Sequence, residues 1–212
     1  MNATPARSEN WAAIRQRRSD FVTYLYRLHR DMSADNKHAA AQARQSMALL
    51  RRCFTGARQE ADAYDIVFDF NPPEAEQHIW LLTAGLFALH PQTRPQEHDR
   101  KTSLGAAMGR LGRERGDSVK RRFTQLVSVE AQAMPHYLRQ ALQLLRTESM
   151  PLDFYRLLDE LTELLVDDPR SLNADRRQRI RLTWARDYHR ASRPASNGPD
   201  ETDAASTTPA TL

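Results

Sequence analysis

The stretch Ile79–Leu89, IWLLTAGLFAL, constrains the fold more than any other part of this chain. Read as a helix, it is apolar nearly all round, and a helix without a polar face belongs at the centre of a packed protein. The predicted helix covers the segment EAEQHIWLLTAGLFALHP, and Pro91 ends it. No run reaches the roughly 18 apolar residues of a membrane span, so the cover has to come from other parts of the chain.

Amphipathic segments to supply that cover recur along the sequence. Phe21, Leu25 and Leu28 mark a stripe on a helix predicted from Trp11 to about Arg30. KHAAAQARQSMALLRRCF places Met47, Leu50 and Phe54 on one face. MPHYLRQALQLLRTES opens with Pro135 in a favourable first-turn position. PLDFYRLLDELTELL turns Leu157, Leu161, Leu164 and Leu165 inward, and a last helix carries Ile180, Trp184 and Tyr188 at spacings of four. The segment YDIVFDFNPP is read as a helical turn or irregular piece, a strand being the alternative. Seven glycines are few for an all-β protein, and abundant Ala, Leu, Arg and Gln favour helix.

The expected fold class is therefore all-α, about eight helices in two packed bundles. The expected organisation is a disordered N-terminus over 1–10, one bundle over 11–100, a second over 101–190 and a disordered acidic tail over 191–212. The first residues lack the apolar core of a secretory signal. A single cysteine, Cys53, excludes an internal disulfide and a cysteine-based zinc site, which suits the reducing cytoplasm.

Catalytic chemistry finds little support. The seven histidines form no zinc-helix pair; His90 and His98-Asp99 read as loop residues lacking a third ligand. Asp159, Glu160, Glu163, Asp167 and Asp168 read as a solvated acidic face between inward leucines. Cys53, beside Arg52, reads as a core thiol with no histidine partner. The glycines of SLGAAMGRLG lack the Gly-Lys-Ser/Thr of a phosphate loop and suit close helix packing instead. No metal, cofactor or catalytic residue is expected.

The charge is more informative. Residues 1–190 carry 30 basic and 24 acidic side chains, a net of +6, while the tail is net −2. Within 94–122 there are nine Lys/Arg and four Asp/Glu, an excess that attracts anions. Two helices are predicted there, about 102–111 and from 118 onward, with Gly112 and Arg115-Gly116-Asp117 turning between them and Asp117 or Ser118 capping the second. At 100° per residue, Val119, Phe123, Leu126 and Val127 form one stripe. Lys120 and Arg122 flank that stripe and Arg121 points away. Arg44 and Arg51 share a face with Arg52 at its shoulder, and Arg139 and Arg146 are likewise seven apart. Such Arg/Gln faces donate to phosphates without reading bases, or remain plain solvated surfaces with internal ion pairs.

Taken in order, IWLLTAGLFALHP, SLGAAMGRLG, KRRFTQLVS, YLRQALQLLRTESMPLDFYRLLDEL and WARDYHRA resemble the CasB family, the small subunit of the type I-E CRISPR surveillance complex Cascade. The resemblance spans roughly 15–190. It implies an all-helical, non-catalytic protein in two bundles, two copies of which associate head to tail along the complex. There the family contacts the backbone and large subunits and stabilises the guide RNA–target DNA hybrid and the displaced strand. By motif it implies Arg121 and Arg122, Arg139, and the pair Arg51 and Arg52 as nucleic-acid contacts. Local charge and helix geometry add Arg44, Lys101, Arg110, Arg113 and Lys120. Where many members carry a second basic residue after Leu-Arg, this chain has Gln140. Three other readings compete: a helical adaptor whose arginines pair with acidic protein partners, a helical nuclease using the acidic run near 159–168, and a transcription regulator. The last lacks a helix-turn-helix with base-reading residues.

Overall fold

In a computed structural model, the structure describes residues 5–96, 102–166 and 173–193. Among them are nine α-helices, a single 3₁₀ turn and no strand. They are α1 (Pro5–Asp31), α2 (Lys37–Arg52), α3 (Ala57–Phe68), α4 (Gln77–Leu89), α5 (Leu104–Arg115), α6 (Asp117–Ser128), α7 (Met134–Thr147), α8 (Phe154–Leu165) and α9 (Asn173–Ser192). The 3₁₀ turn, Glu74–Glu76, leads into α4.

As the sequence requires, α4 is central. Every residue from Ile79 to Ala88 is buried, and α2, α3, α7 and α8 pack around it. Each fully buried large apolar side chain there contributes about 1.5–3 kcal/mol, which makes this helix a large source of cohesion. On α1, Phe21 lies 4.9 Å from Trp80 of α4, centroid to centroid. Tyr26 meets Phe87 of α4 at 5.2 Å, and Phe87 meets Phe154 of α8 at 5.0 Å. One hydrophobic cluster runs from Phe21 on α1 to Tyr188 on α9.

Two buried tryptophans are held by the same device. Trp80 Nε1 donates to Glu76 at 3.0 Å, and Arg18 of α1 grips that carboxylate with two donors at 3.0 and 2.6 Å. Trp184 Nε1 of α9 donates to Glu160 of α8 at 2.6 Å, and Arg156 donates to its other oxygen at 2.6 Å. Arg156 also reaches Asp187, which accepts from Ser103, the N-cap of α5. Each carboxylate thus satisfies an indole N–H that would be costly to bury alone. Burial lifts the Glu160 pKa above the usual carboxylate range, against the Trp184 and Arg156 hydrogen bonds that favour the ion. Glu160, read from sequence as part of a solvated acidic face, is only 6% exposed; Asp159 and Glu163 are exposed as expected. Asp167 and Asp168 lie outside the described residues.

Several local readings need correction. The segment 64–73 begins inside α3, a three-turn helix whose buried face is Ala63 and Val67, so YDIVF continues a helix that starts at Ala57. α1 is helical from Pro5, six residues before Trp11. His90 is buried at 3% exposure, its Nε2 bonded to the Met150 carbonyl at 2.7 Å, rather than a solvated loop residue. Gly112 lies inside α5, and Gly116 alone makes the turn to α6 with φ +73°, a value that favours glycine. Neither Asp117 nor Ser118 caps α6; the cap position is Gly116 and Asp117 is its first residue. His98 and Asp99, and all but 191–193 of the acidic tail, lie outside the described residues.

α5 and α9 form the most extensive helix pair among the described residues. The glycines of SLGAAMGRLG make this approach possible, as their sequence context suggested. A Cβ on Gly105 would collide with the Trp184 carbonyl, and one on Gly109 would stand 2.5 Å from the Tyr188 carbonyl oxygen. A Cβ on Gly112 would stand 2.5 Å from the Tyr188 hydroxyl. Overpacking of this kind costs about 1–3 kcal/mol or more. Gly105→Ala is therefore expected to lower unfolding free energy by about 3 kcal/mol in a denaturant titration, while Gly56→Ala, facing only a flexible Gln59 side chain, changes it by less than about 1 kcal/mol.

Candidate nucleic-acid interface

The pairing of α5 with α9 sets the position of α6. Tyr188, held against α5 by Gly109 and Gly112, stacks its ring on Phe123 of α6, with centroids 4.4 Å apart and planes 11° from parallel. Val119 and Leu126 bury the same face. At its far end, Arg181 of α9 donates to the carbonyls of Val127 and Val129 at 3.1 and 2.6 Å, closing the C-terminus of α6. α6 is thus fixed along its inner side, and Lys120, Arg121 and Arg122 stand exposed on the remainder. No described carboxylate pairs with these three residues or with exposed Arg113 near the end of α5. Arg110 is half-buried on α5, and Arg115 is engaged with Glu148.

The sequence-predicted residues of α2 have a different setting. Arg44 Nη2 donates to the Met32 carbonyl at 2.8 Å, just past the end of α1. Arg51 Nε donates to the Ala88 carbonyl at 3.1 Å, at the end of α4. Arg52 Nε reaches back to the Ala48 carbonyl at 3.2 Å. Arg44 and Arg51 thus sit at the C-terminal ends of other helices, where a cation is favoured by unpaired carbonyls and the helix dipole, while Arg52 bonds back within α2 itself. Each keeps further N–H groups toward solvent, since all three side chains are exposed. Arg139 of α7 is half-buried, with its guanidinium 5.0 Å over the Phe54 ring. The predicted residues therefore fall in two groups. One is Arg110, Arg113, Lys120, Arg121 and Arg122 on consecutive helices α5 and α6. The other is Arg139 against Phe54, with Arg51 and Arg52 just before Cys53 and Phe54 in the chain and Arg44 two turns earlier on α2. Lys101 lies outside the described residues.

Sequence reasoning missed the basic face of α9. Arg176, Arg179, Arg186 and Arg190 are exposed there, while Arg177 donates to the Val166 carbonyl at the end of α8. The signal was present in ADRRQRIRLTWARDYHRAS: once Ile180, Trp184 and Tyr188 point inward, the intervening arginines must face out. No group of three or more His, Cys, Asp or Glu suited to a metal occurs among the described residues. Cys53 is buried, and burial pushes its thiol up to about 12, so it stays protonated and unreactive. No described helix is long and apolar enough to cross a membrane.

With these features in place, comparison with known proteins is decisive. The sequence model of a family described as CRISPR-associated protein Cse2 matches residues 46–189. The chain belongs to the Cse2 family. Among solved structures, CasB from Thermus thermophilus is 26% identical with a TM-score of 0.57, the match covering 82% of this chain and 98% of that one. CasB from Thermobifida fusca is also 26% identical, with a TM-score of 0.53 and coverage of 80% and 97%. A chain of a CRISPR RNA-guided surveillance complex shares the fold at 19% identity and a TM-score of 0.59, over 84% of this chain and 94% of that one. No curated protein sequence gives a significant match. Every residue of α4, α5, α6 and α7, and all of α9 up to His189, falls within the Cse2 match, whereas Arg44 precedes it.

The two classes of arginine predict opposite mutational responses. Arg181→Ala removes two charge-assisted hydrogen bonds to carbonyls and is expected to cost about 1.5–3 kcal/mol in chemical denaturation. Arg121→Ala and Arg122→Ala, exposed and without a described partner, should stay within about 0.5 kcal/mol of the parent protein.

Proposed function

We propose that this Cse2-family chain is a non-catalytic subunit of an RNA-guided CRISPR surveillance complex, where its basic surface holds nucleic-acid backbone. The observation that carries this reading is α6. Its inner face is locked by the Phe123–Tyr188 stack and by Arg181, while Lys120, Arg121 and Arg122 are exposed and form no ion pair with a described carboxylate. Fixing the helix lowers the ordering cost of a phosphate contact, and arginine gives each phosphate two donors. The solved surveillance complex that shares this fold supports the setting.

In such a complex, base pairing between guide RNA and target strand reads the sequence, and protein holds shape and backbone. Opening the DNA duplex is a near-balanced exchange, so modest contacts to the hybrid or the displaced strand tip it toward the open state. The partners proposed are therefore the guide RNA–target DNA hybrid, the displaced DNA strand, the backbone and large subunits, and a second copy of the chain. No proton transfer, nucleophile or metal is required for this role.

The test is the double variant Arg121→Glu, Arg122→Glu, built into the assembled complex. Loss of two charge-assisted phosphate contacts should weaken target-DNA retention at physiological salt about tenfold or more, with the helical content of the subunit unchanged. Unaltered retention would overturn the reading. Normal DNA retention by complexes that assemble poorly would favour the protein-binding adaptor, in which the same arginines meet acidic partner surfaces.

A further inference from the structure

A cavity of about 560 Å³ opens where the turn after α2 meets the turn between α6 and α7. Its inner wall is apolar: Cys53, Leu81, Leu82 and Leu165 line it while remaining less than a tenth exposed. Phe54 is half-buried beside them and presents its ring to the guanidinium of Arg139. His78, Glu60 and Gln132 are exposed at the rim and bring hydrogen-bonding groups to it. Pockets of this volume, mostly apolar with a few convergent polar groups, suit a small planar or drug-sized ligand.

The arrangement of Arg139 narrows the ligand further. A guanidinium centred 5.0 Å over an aromatic ring retains an N–H edge that can take a phosphate or carboxylate in two hydrogen bonds. No described carboxylate occupies that edge. Arg51 and Arg52 directly precede Cys53 in the sequence and add positive charge to this part of the chain. An apolar slot with an aromatic wall, a polar rim and a cation at its entrance matches a nucleotide: a flat base, ring edges that hydrogen-bond, and an anionic phosphate. Proteins that bind single strands commonly splay a base out of its stack and hold it against aromatic or guanidinium planes.

We propose that this cavity receives one splayed nucleobase of a bound strand, with Arg139 taking the phosphate of that nucleotide. This rests on the nucleic-acid reading of the chain, but it uses a different face from α6. The strand that α6 grips by its backbone would gain a second, base-filled anchor, insensitive to which base arrives beyond the hydrogen bonds available at the rim. The protonated Cys53 thiol acts there as an apolar wall.

The test is methyl NMR of the full-length chain titrated with AMP, adenosine and inorganic phosphate. The expected result is saturable shifts of the Leu81, Leu82 and Leu165 methyls with AMP, weaker binding of adenosine, and displacement of AMP by a short single-stranded oligonucleotide. Arg139→Gln should weaken AMP about tenfold and leave adenosine unchanged, while Arg139→Lys restores part of the loss. No methyl shift at millimolar AMP overturns the proposal, as do identical shifts with phosphate alone, equal losses for AMP and adenosine in Arg139→Gln, or failure of the oligonucleotide to compete. The Arg121→Glu, Arg122→Glu variant separates the two readings. It should retain AMP binding in full, so a failed cavity leaves the α6 reading standing, and a failed α6 leaves the cavity to be judged on its own titration.

Discussion

The close approach of α5 to α9 is the contact on which the proposed nucleic-acid surface depends. It exists because Gly105, Gly109 and Gly112 leave room for the α9 backbone and for Tyr188. Tyr188, so placed, offers its ring to Phe123, and α6 takes its orientation from that stack. Ser103 at the head of α5 and Arg156 of α8 both bond Asp187 of α9, so the same helix pair is tied to the Trp184–Glu160 network. A side chain added at the glycines would push α9 outward, and the stack that aims the cations of α6 would move with it.

Positive charge in this protein has two uses. Arg44, Arg51, Arg177 and Arg181 spend a donor on carbonyls at or just beyond the ends of α1, α4, α8 and α6. Arg18 and Arg156 neutralise carboxylates that hold buried indoles. A basic composition alone therefore overstates the surface available to an acidic polymer. What remains, on α6 and on the outer face of α9, is exposed and lacks a described acidic partner at Lys120, Arg121 and Arg122. Long-range attraction of a polyanion draws on all of these charges, while close contact to phosphate needs the ones with free donors.

Much of this could be read directly from the sequence. The all-apolar run of α4 announced a central helix, and the three- and four-residue spacings of Phe21, Leu25, Leu157, Leu161 and Trp184 placed the inward faces. The fan of Lys120, Arg121 and Arg122 around a stripe containing Phe123 followed from 100° per residue, and the structure has the stripe buried and the cations out. Pairings between distant residues were not legible. Glu160 looked like any acid on an acidic helix because its partner, Trp184, lies 24 residues away, and Glu76 is partnered across 58 residues by Arg18. The helix-closing role of Arg51 depends on where α4 ends in space, which no spacing within α2 reveals. The extent of α3 is also hidden in sequence: Pro72-Pro73 mark only where the segment ends, whereas the helix is set by Ala63 and Val67 packing inward at a spacing of four.

The central claim is that the α6 cations, unlike the helix-closing arginines, neutralise phosphate directly. The most direct measurement is the slope of log binding constant against log salt for single-stranded DNA on the assembled complex. Each lost phosphate contact to a single strand should reduce the slope by about 0.7. Replacing Lys120, Arg121 and Arg122 by alanine is therefore expected to make the slope shallower by about 2. An unchanged slope, with affinity lowered equally at every salt concentration, would contradict the account.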